Sequence, residues 1–141
     1  MINSTGVFVR QSKVGYFARV EIQVETGVEK TYFEIRCKGN GFRGQGYIEE
    51  VPENGYEDWK FGAIIVLNYA LRKLDSPICK VTVIKIEGLT SDTNPTIVAA
   101  AAINALWKAY NYVPNIELQN YIEEEVLRSW ALPQMSIPYL N

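Results

Sequence analysis

From Tyr16 to Val24, every second residue is apolar, and all but the first of the residues between and after them are polar. The apolar set is Tyr16, Ala18, Val20, Ile22 and Val24, and the alternate set is Phe17, Arg19, Glu21, Gln23 and Glu25. A side-chain period of two is that of a β-strand with one buried face. The chain must therefore build a sheet that is covered on one side.

Further strands are indicated before and after this one in the sequence. Thr31 to Cys37 alternates in the same way after a Thr-Gly-Val-Glu turn, which predicts an antiparallel hairpin with the first strand. Val7 to Arg10 indicates a shorter strand before it. Ile78 to Glu87 is a β-branched run whose phase changes at Ile84, which predicts either a bulge or burial on both faces, in a central or near-central strand.

Three helices are predicted from apolar residues that recur every three or four positions. The first spans Glu57 to Leu74, with Asn54 and Glu57 forming a capping box. The second spans Pro95 to Tyr110, with Asn94 as its N-cap and a run of alanines that can lie close against a sheet. The third spans Asn115 to Trp130. This order predicts an α+β two-layer sandwich, in which helices cover one face of a mostly antiparallel sheet.

Composition limits the size and class of the protein. Its 141 residues, 48% of them apolar, predict a single domain over residues 1–141. No apolar stretch reaches the length of a membrane span, and the N-terminus lacks the features of a secretory signal. We therefore expect a cytoplasmic protein without a membrane partner.

The absence of histidine removes much chemistry. The chain has no histidine and two cysteines, Cys37 and Cys79, outside any spacing motif. Ser-His and Cys-His nucleophile pairs and His-ligated zinc are therefore excluded. The acidic run Glu123–Glu125 indicates a solvated helix face, because consecutive helical residues point about 100° apart. We expect no metal site, no cofactor and no catalytic residues.

Charge and glycine content leave two features open. Residues 1–46 carry seven Lys/Arg against four Glu, whereas residues 47–141 carry seven against twelve acidic residues. This asymmetry fits either two differently solvated surfaces or local attraction of anions near the N-terminal strands. Cys37 to Gly46 contains four glycines but no Gly-Lys-Ser/Thr ending, which favours a connecting loop over a phosphate cradle.

The segment Gln11-Ser12-Lys13-Val14-Gly15-Tyr16-Phe17-Ala18-Arg19-Val20 resembles the opening of the fourth domain of elongation factor G. Gln11, Ser12, Gly15, Ala18 and Val20 match that family's pattern. Later pieces follow in the same order, including a helix with Ala70-Leu71, a strand from Lys80 to Ile86 and a turn from Glu87 to Asp92. The similarity spans about residues 10–110. It implies a β-α-β crossover of left-handed sense and no catalytic chemistry.

In that family, loops at the tip of the domain enter the ribosomal decoding region. By position, the equivalent loops here are Gln11 to Gly15 and Gly88 to Thr93, and the latter includes Asp92. The resemblance thus implies binding to the ribosome or structured RNA, with phosphate contacts from Arg10, Lys13 and Arg19 and hydrogen bonds from Ser12, Thr90, Ser91 and Thr93. The second loop lacks the histidine common in relatives. The chain also has no GTP-binding domain, so it cannot be a translocase by itself.

Residues 115–141, an additional helix and an extended tail, lie beyond the resemblance. They favour a second hypothesis, a protein-interaction module that presents Trp130, Tyr139 and Leu140 to a protein partner or a second copy. Alternatively, these side chains fold back onto their own core. The fold also occurs in small-molecule kinases, but Ser91 to Asn94 lacks the glycines of their phosphate-binding loops.

Overall fold

The computed structural model describes residues 1–11, 14–42 and 44–132. Within these ranges the chain forms an α+β fold of six strands and four α-helices. The strands are β1 (Ile2–Gln11), β2 (Gly15–Glu25), β3 (Tyr32–Ile35), β4 (Gly41–Phe42), β5 (Ile48–Glu50) and β6 (Lys80–Leu89). The helices are α1 (Glu57–Ile65), α2 (Leu67–Arg72), α3 (Pro95–Ala109) and α4 (Ile116–Leu127).

The strands form one mostly antiparallel sheet in which β6 is central. Along one side, β6 pairs with β2, which in turn pairs with β1. The other side of β6 is shared by two strands: β3 pairs in parallel with Lys80 to Val83, and β5 pairs antiparallel with Glu87 to Leu89. β4 lies outside β5, so the glycine-rich segment predicted as a loop contains a short strand.

The predicted hairpin between β2 and the following strand is wrong. β2 instead forms its hairpin with β1, in which Gln11 lies opposite Gly15. β3 runs parallel to β6, and α1 and α2 lie between them in sequence. Alternation of apolar residues determines which face of a strand is buried, but it carries no information about the neighbouring strand. For this reason the sequence predicts the strand β2 correctly but predicts the wrong hairpin partner for it.

Of the two predicted explanations for the phase change in the central strand, a bulge or burial on both faces, the structure contains the bulge. Glu21 lies opposite Lys85, but the next residue, Ile22, lies opposite Val83. Ile84 is therefore the extra residue on β6, where the apolar pattern changes phase. The central position predicted for this strand is confirmed as well.

The first predicted helix is divided, and its capping box is wrong. α1 and α2 are separated at Val66, and the N-cap of α1 is Tyr56, which has φ 57° and makes no side-chain capping bond. The cap of α3 is as predicted, because Asn94 accepts a hydrogen bond from the backbone N–H of Ile97 at 2.9 Å. α4 is capped by Asn115 in the same way.

The core lies between the sheet and α3. The alanines of α3 are buried where it packs on β1 and β2. A Cβ on Gly6 of β1 would overlap the backbone of Ala101 and Ala105, so helix and strand are in direct backbone contact there. Among the described residues, no helix combines the length and apolar character required to cross a membrane.

Candidate binding site at the tip of the sheet

Two loops that are distant in sequence meet at one end of the sheet. We call Gln11–Gly15 the first tip loop and Gly88–Thr93 the second tip loop. The backbone N–H of Phe17, just after the first loop, donates to the carbonyl of Asp92 at 2.8 Å. A Cβ on Gly15 would meet the carboxylate of Asp92, so the loops approach closely.

Thr93 joins the two loops from inside. Its buried hydroxyl donates to the carbonyl of Phe17 at 2.7 Å and accepts from the backbone N–H of Leu89 at 2.8 Å. Both hydrogen-bonding roles of the hydroxyl are therefore used within the protein. Thr93 positions the second tip loop and does not offer its hydroxyl to a ligand.

Tyr47 completes this end of the molecule and was not predicted. Its ring is 67% exposed, and its carbonyl accepts from both the backbone N–H and the hydroxyl of Thr90, at 3.0 and 3.1 Å. Tyr47 has φ 57°, in the left-handed region, and follows Gly44 and Gly46. The sequence feature that could have identified Tyr47 is an isolated aromatic residue after glycines, at the turn between β4 and β5. We use "the tip" for the two tip loops together with Gly44–Ile48.

The C-terminal part of the chain contacts the first tip loop. The hydroxyl of Tyr16 donates to the carbonyl of Leu127 at 2.9 Å, and the indole N–H of Trp130 donates to the carbonyl of Gly15 at 3.2 Å. Trp130 is nevertheless 41% exposed. The residue predicted as a partner anchor is thus fixed at its N–H and partly open to solvent.

Both described arginines predicted to contact phosphate are paired with carboxylates. Nε of Arg10 lies 2.6 Å from Oε1 of Glu123 on α4. This hydrogen bond lowers the pKa of Glu123 below its ordinary value. Arg19 lies 3.7 Å from Glu87, which is also 3.2 Å from Lys85. A phosphate that binds Arg10 or Arg19 must therefore compete with a carboxylate.

The other predicted site residues are distributed unevenly. Gln11, Thr90 and Ser91 are exposed at the tip, and Asp92 is half-buried beside Gly15. Four predicted contact residues lie outside the described residues: Ser12, Lys13, Tyr139 and Leu140.

The thiols are not placed for nucleophilic chemistry. Cys37 and Cys79 are free and buried, and burial raises the pKa of Cys37 to about 11. Within the described ranges, no group of three or more His, Cys, Asp or Glu side chains is arranged to hold a metal ion. The tip offers hydroxyls, an amide, aromatic rings and paired charges, all of which can contact a ligand.

Comparison with known proteins gives the fold alone. No family model and no curated protein sequence matches this chain. Among solved structures, it is similar to a crystal structure of a protein from Thermus thermophilus, with a TM-score of 0.55 and 17% sequence identity. The match covers 89% of this chain but 20% of that one, so the chain spans about a fifth of its structural neighbour's length.

Proposed function

We propose that this chain is a non-catalytic binding domain whose tip contacts structured RNA, such as that of the ribosome. The observation that carries the proposal is the meeting of the two tip loops beside an exposed tyrosine. The resemblance of residues 10–110 to the fourth domain of elongation factor G supports it, since that family uses the same end of the fold.

The exposed groups at the tip suit unpaired bases. Tyr47 is available for stacking, the side chains of Gln11 and Ser91 are exposed, and the hydroxyl of Thr90, which donates to Tyr47, can still accept a hydrogen bond. Proteins commonly recognise unpaired bases of structured RNA by aromatic stacking together with hydrogen bonds to base edges and 2′-hydroxyls. Thr93 positions the second tip loop, which carries Thr90 and Ser91.

The charges at the tip favour weak binding. Arg10 and Arg19, the two predicted phosphate-contacting cations that the structure describes, are each paired with a carboxylate, so a phosphate must compete for both. Each phosphate contact steepens the dependence of affinity on salt. We therefore expect binding at low salt that is lost at moderate salt.

Filter binding of the full chain to ribosomes and to a decoding-site RNA, at low and moderate salt, tests the proposal. Tyr47→Ala is expected to weaken binding about tenfold, because stacking on one base contributes about 1–3 kcal/mol. Tyr121→Ala is the matched control, since Tyr121 is exposed on α4. No binding at low salt would overturn the proposal, and so would equal effects of the two variants.

A second candidate function is protein interaction through α4. Its solvent side carries large apolar residues, among them Ile116 at 65% exposure, Tyr121 and Leu127, and Trp130 follows. Such exposed apolar residues are typical of association surfaces. Deleting residues 131–141 tests the contribution of the tail: lost association with an unchanged melting temperature supports a partner surface, whereas a lower melting temperature supports packing onto the chain's own core.

A pull-down from native lysate at low salt separates the two candidates. Recovery of ribosomes that Tyr47→Ala reduces supports the tip. Recovery of individual proteins that Tyr121→Ala reduces supports α4.

A further inference from the structure

Two of the outer strands of the sheet, β1 and β3, differ at their free edges. On β1, Asn104 donates its amide to the carbonyl of Val7 at 3.1 Å, and Arg10 donates to the carbonyl of Val9 at 2.8 Å. These side chains occupy carbonyl groups that would have to accept hydrogen bonds from an added strand. Natural proteins commonly block the edges of their sheets against association in such ways.

The free edge of β3 has no such protection in the part of the chain that the structure describes. On the side of β3 that faces β6, the backbone N–H of Tyr32 donates to the carbonyl of Cys79 at 3.3 Å, and the backbone N–H of Arg36 donates to the carbonyl of Val83 at 2.8 Å. Backbone groups alternate in direction along a strand, so the N–H and C=O of Phe33 and Ile35 point away from β6. No backbone hydrogen bond among the described residues engages them.

A cavity of about 960 Å³ lies beside this edge, between the end of β3 and α1. Ile35, Cys37, Phe61 and Ile64 form the apolar part of its lining, and the rest of the lining is charged: Arg36, Lys38, Glu53, Glu57, Asp58 and Lys60. Phe33, Ile35 and Cys37 belong to the side of β3 that packs on the core. A strand added to β3 would therefore place every second side chain on this side, beside the cavity, as in peptide recognition by strand addition.

Charges along β3 select a second copy of the same strand in one register. If two β3 strands run antiparallel with Ile35 opposite Ile35, each Glu34 lies opposite the Arg36 of the other copy. If the two-fold axis lies at Glu34 instead, the Glu34 carboxylates of the two copies lie opposite each other. If it lies at Phe33, Lys30 of each copy lies opposite Arg36 of the other. Opposite charges directly across a strand pair are favourable and like charges are not.

We propose that two copies of this chain associate through β3 in this register, which continues the sheet across a two-fold axis at Ile35. Within each copy Glu34 already lies 2.8 Å from Arg36 and 3.6 Å from Lys80 of β6, and the pairing adds the Arg36 of the other copy to this group. In this register Phe33 of each copy lies opposite Cys37 of the other, on the core side of the strands and beside the other copy's cavity. β3 runs along Lys80 to Val83, whereas the second tip loop begins at Gly88, so the association leaves the tip open.

Sedimentation equilibrium of the full chain over a range of concentrations tests this pairing. Glu34→Arg and Arg36→Glu are each expected to weaken dimerisation about tenfold, because both cross-strand pairs become repulsive. The double variant Glu34→Arg/Arg36→Glu restores opposite charges and is expected to recover the dimer. Melting temperatures followed by circular dichroism verify that each variant is folded.

Glu29→Arg is the matched control, since it makes the same charge change at an exposed turn residue before β3. It is expected to leave dimerisation unchanged. A monomer at every concentration overturns the proposal. Single variants that behave like Glu29→Arg also overturn it, as does a double variant that does not recover the dimer.

Discussion

The side chains of Arg10 and Glu123, 113 residues apart in sequence, meet in an ion pair with Nε and Oε1 2.6 Å apart. This contact joins the end of β1 at the tip to α4. The hydrogen bonds from Tyr16 to Leu127 and from Trp130 to Gly15 reinforce the same junction. The C-terminal helix thus contacts the surface proposed to bind RNA.

Glu123→Gln is expected to remove a stabilisation that depends on pH. The hydrogen bond from Arg10 lowers the pKa of Glu123 in the folded state. The stabilisation is therefore fully present above the ordinary glutamate pKa and is lost as the pH falls through the lowered folded value. At pH 7 the variant should be less stable by no more than about 1 kcal/mol, since the pair is partly exposed.

Urea unfolding of both proteins at pH 7 and pH 3 measures this difference, which should shrink at the lower pH. Glu124→Gln, an exposed neighbour on α4, is the control. The same Glu123→Gln variant should bind RNA more strongly at low salt, because Arg10 is released. Equal stability at pH 7 would contradict the structural role of the pair.

Thr93→Val should destabilise the protein by about 1–3 kcal/mol, because it leaves the N–H of Leu89 and the carbonyl of Phe17 without their shared partner. Valine keeps the shape of the side chain, so the loss reports the hydrogen bonds. Ser91→Ala, at an exposed position of the same loop, should change stability by less than about 0.5 kcal/mol. Chemical unfolding compares the two, and equal values would show that Thr93 does not join the loops.

Asn94→Ala should cost more than Asn115→Ala, although both remove a helix N-cap. Asn94 is buried and also donates to the hydroxyl of Ser129 at 2.9 Å, which ties α3 to the C-terminal segment. We expect a loss of about 2 kcal/mol for Asn94→Ala and about 1 kcal/mol for the exposed cap Asn115. Thermal unfolding measures both, and equal losses would show that the bond to Ser129 is dispensable.

The thiol of Cys37 should resist alkylation in the folded protein. Burial raises the pKa of Cys37 to about 11, so at pH 8 about one thiol in a thousand is ionised. Iodoacetamide labelling followed by mass spectrometry should be slow in buffer and fast in urea. Ser91→Cys supplies an exposed thiol at the tip that should react quickly in the folded state, and equal rates at both cysteines would contradict the burial of Cys37.

The sequence predicts the buried faces of strands and the ends of helices better than it predicts which strands pair. Alternation in β2 and the phase change at Ile84 each have a local cause, and the structure contains both features. The partner of β2 depends on contacts between distant segments, which no local pattern records. The tip loops were located through family resemblance, but Glu123 lies outside the matching region, so its pairing with Arg10 could not be predicted.

Gly6 shows the same limit where α3 packs on β1. The alanines of α3 predicted a smooth helix side against a sheet, but the strand predicted nearby began at Val7, because the preceding polar residues and Gly6 have low strand propensity. In the structure β1 begins at Ile2, and Gly6 lies directly against Ala101 and Ala105. The absence of a side chain at Gly6 is what permits α3 to lie on the backbone of β1.

Gly6→Ala should therefore destabilise the protein by about 3 kcal/mol or more, because the new methyl group overlaps backbone atoms of α3 that no side-chain rotation can move. Thr5→Ala, at the neighbouring half-buried position on the other face of β1, should cost less than about 1 kcal/mol. Urea unfolding measures both. A Gly6→Ala variant as stable as Thr5→Ala would show that α3 can move away from β1 at little cost, contrary to their backbone contact.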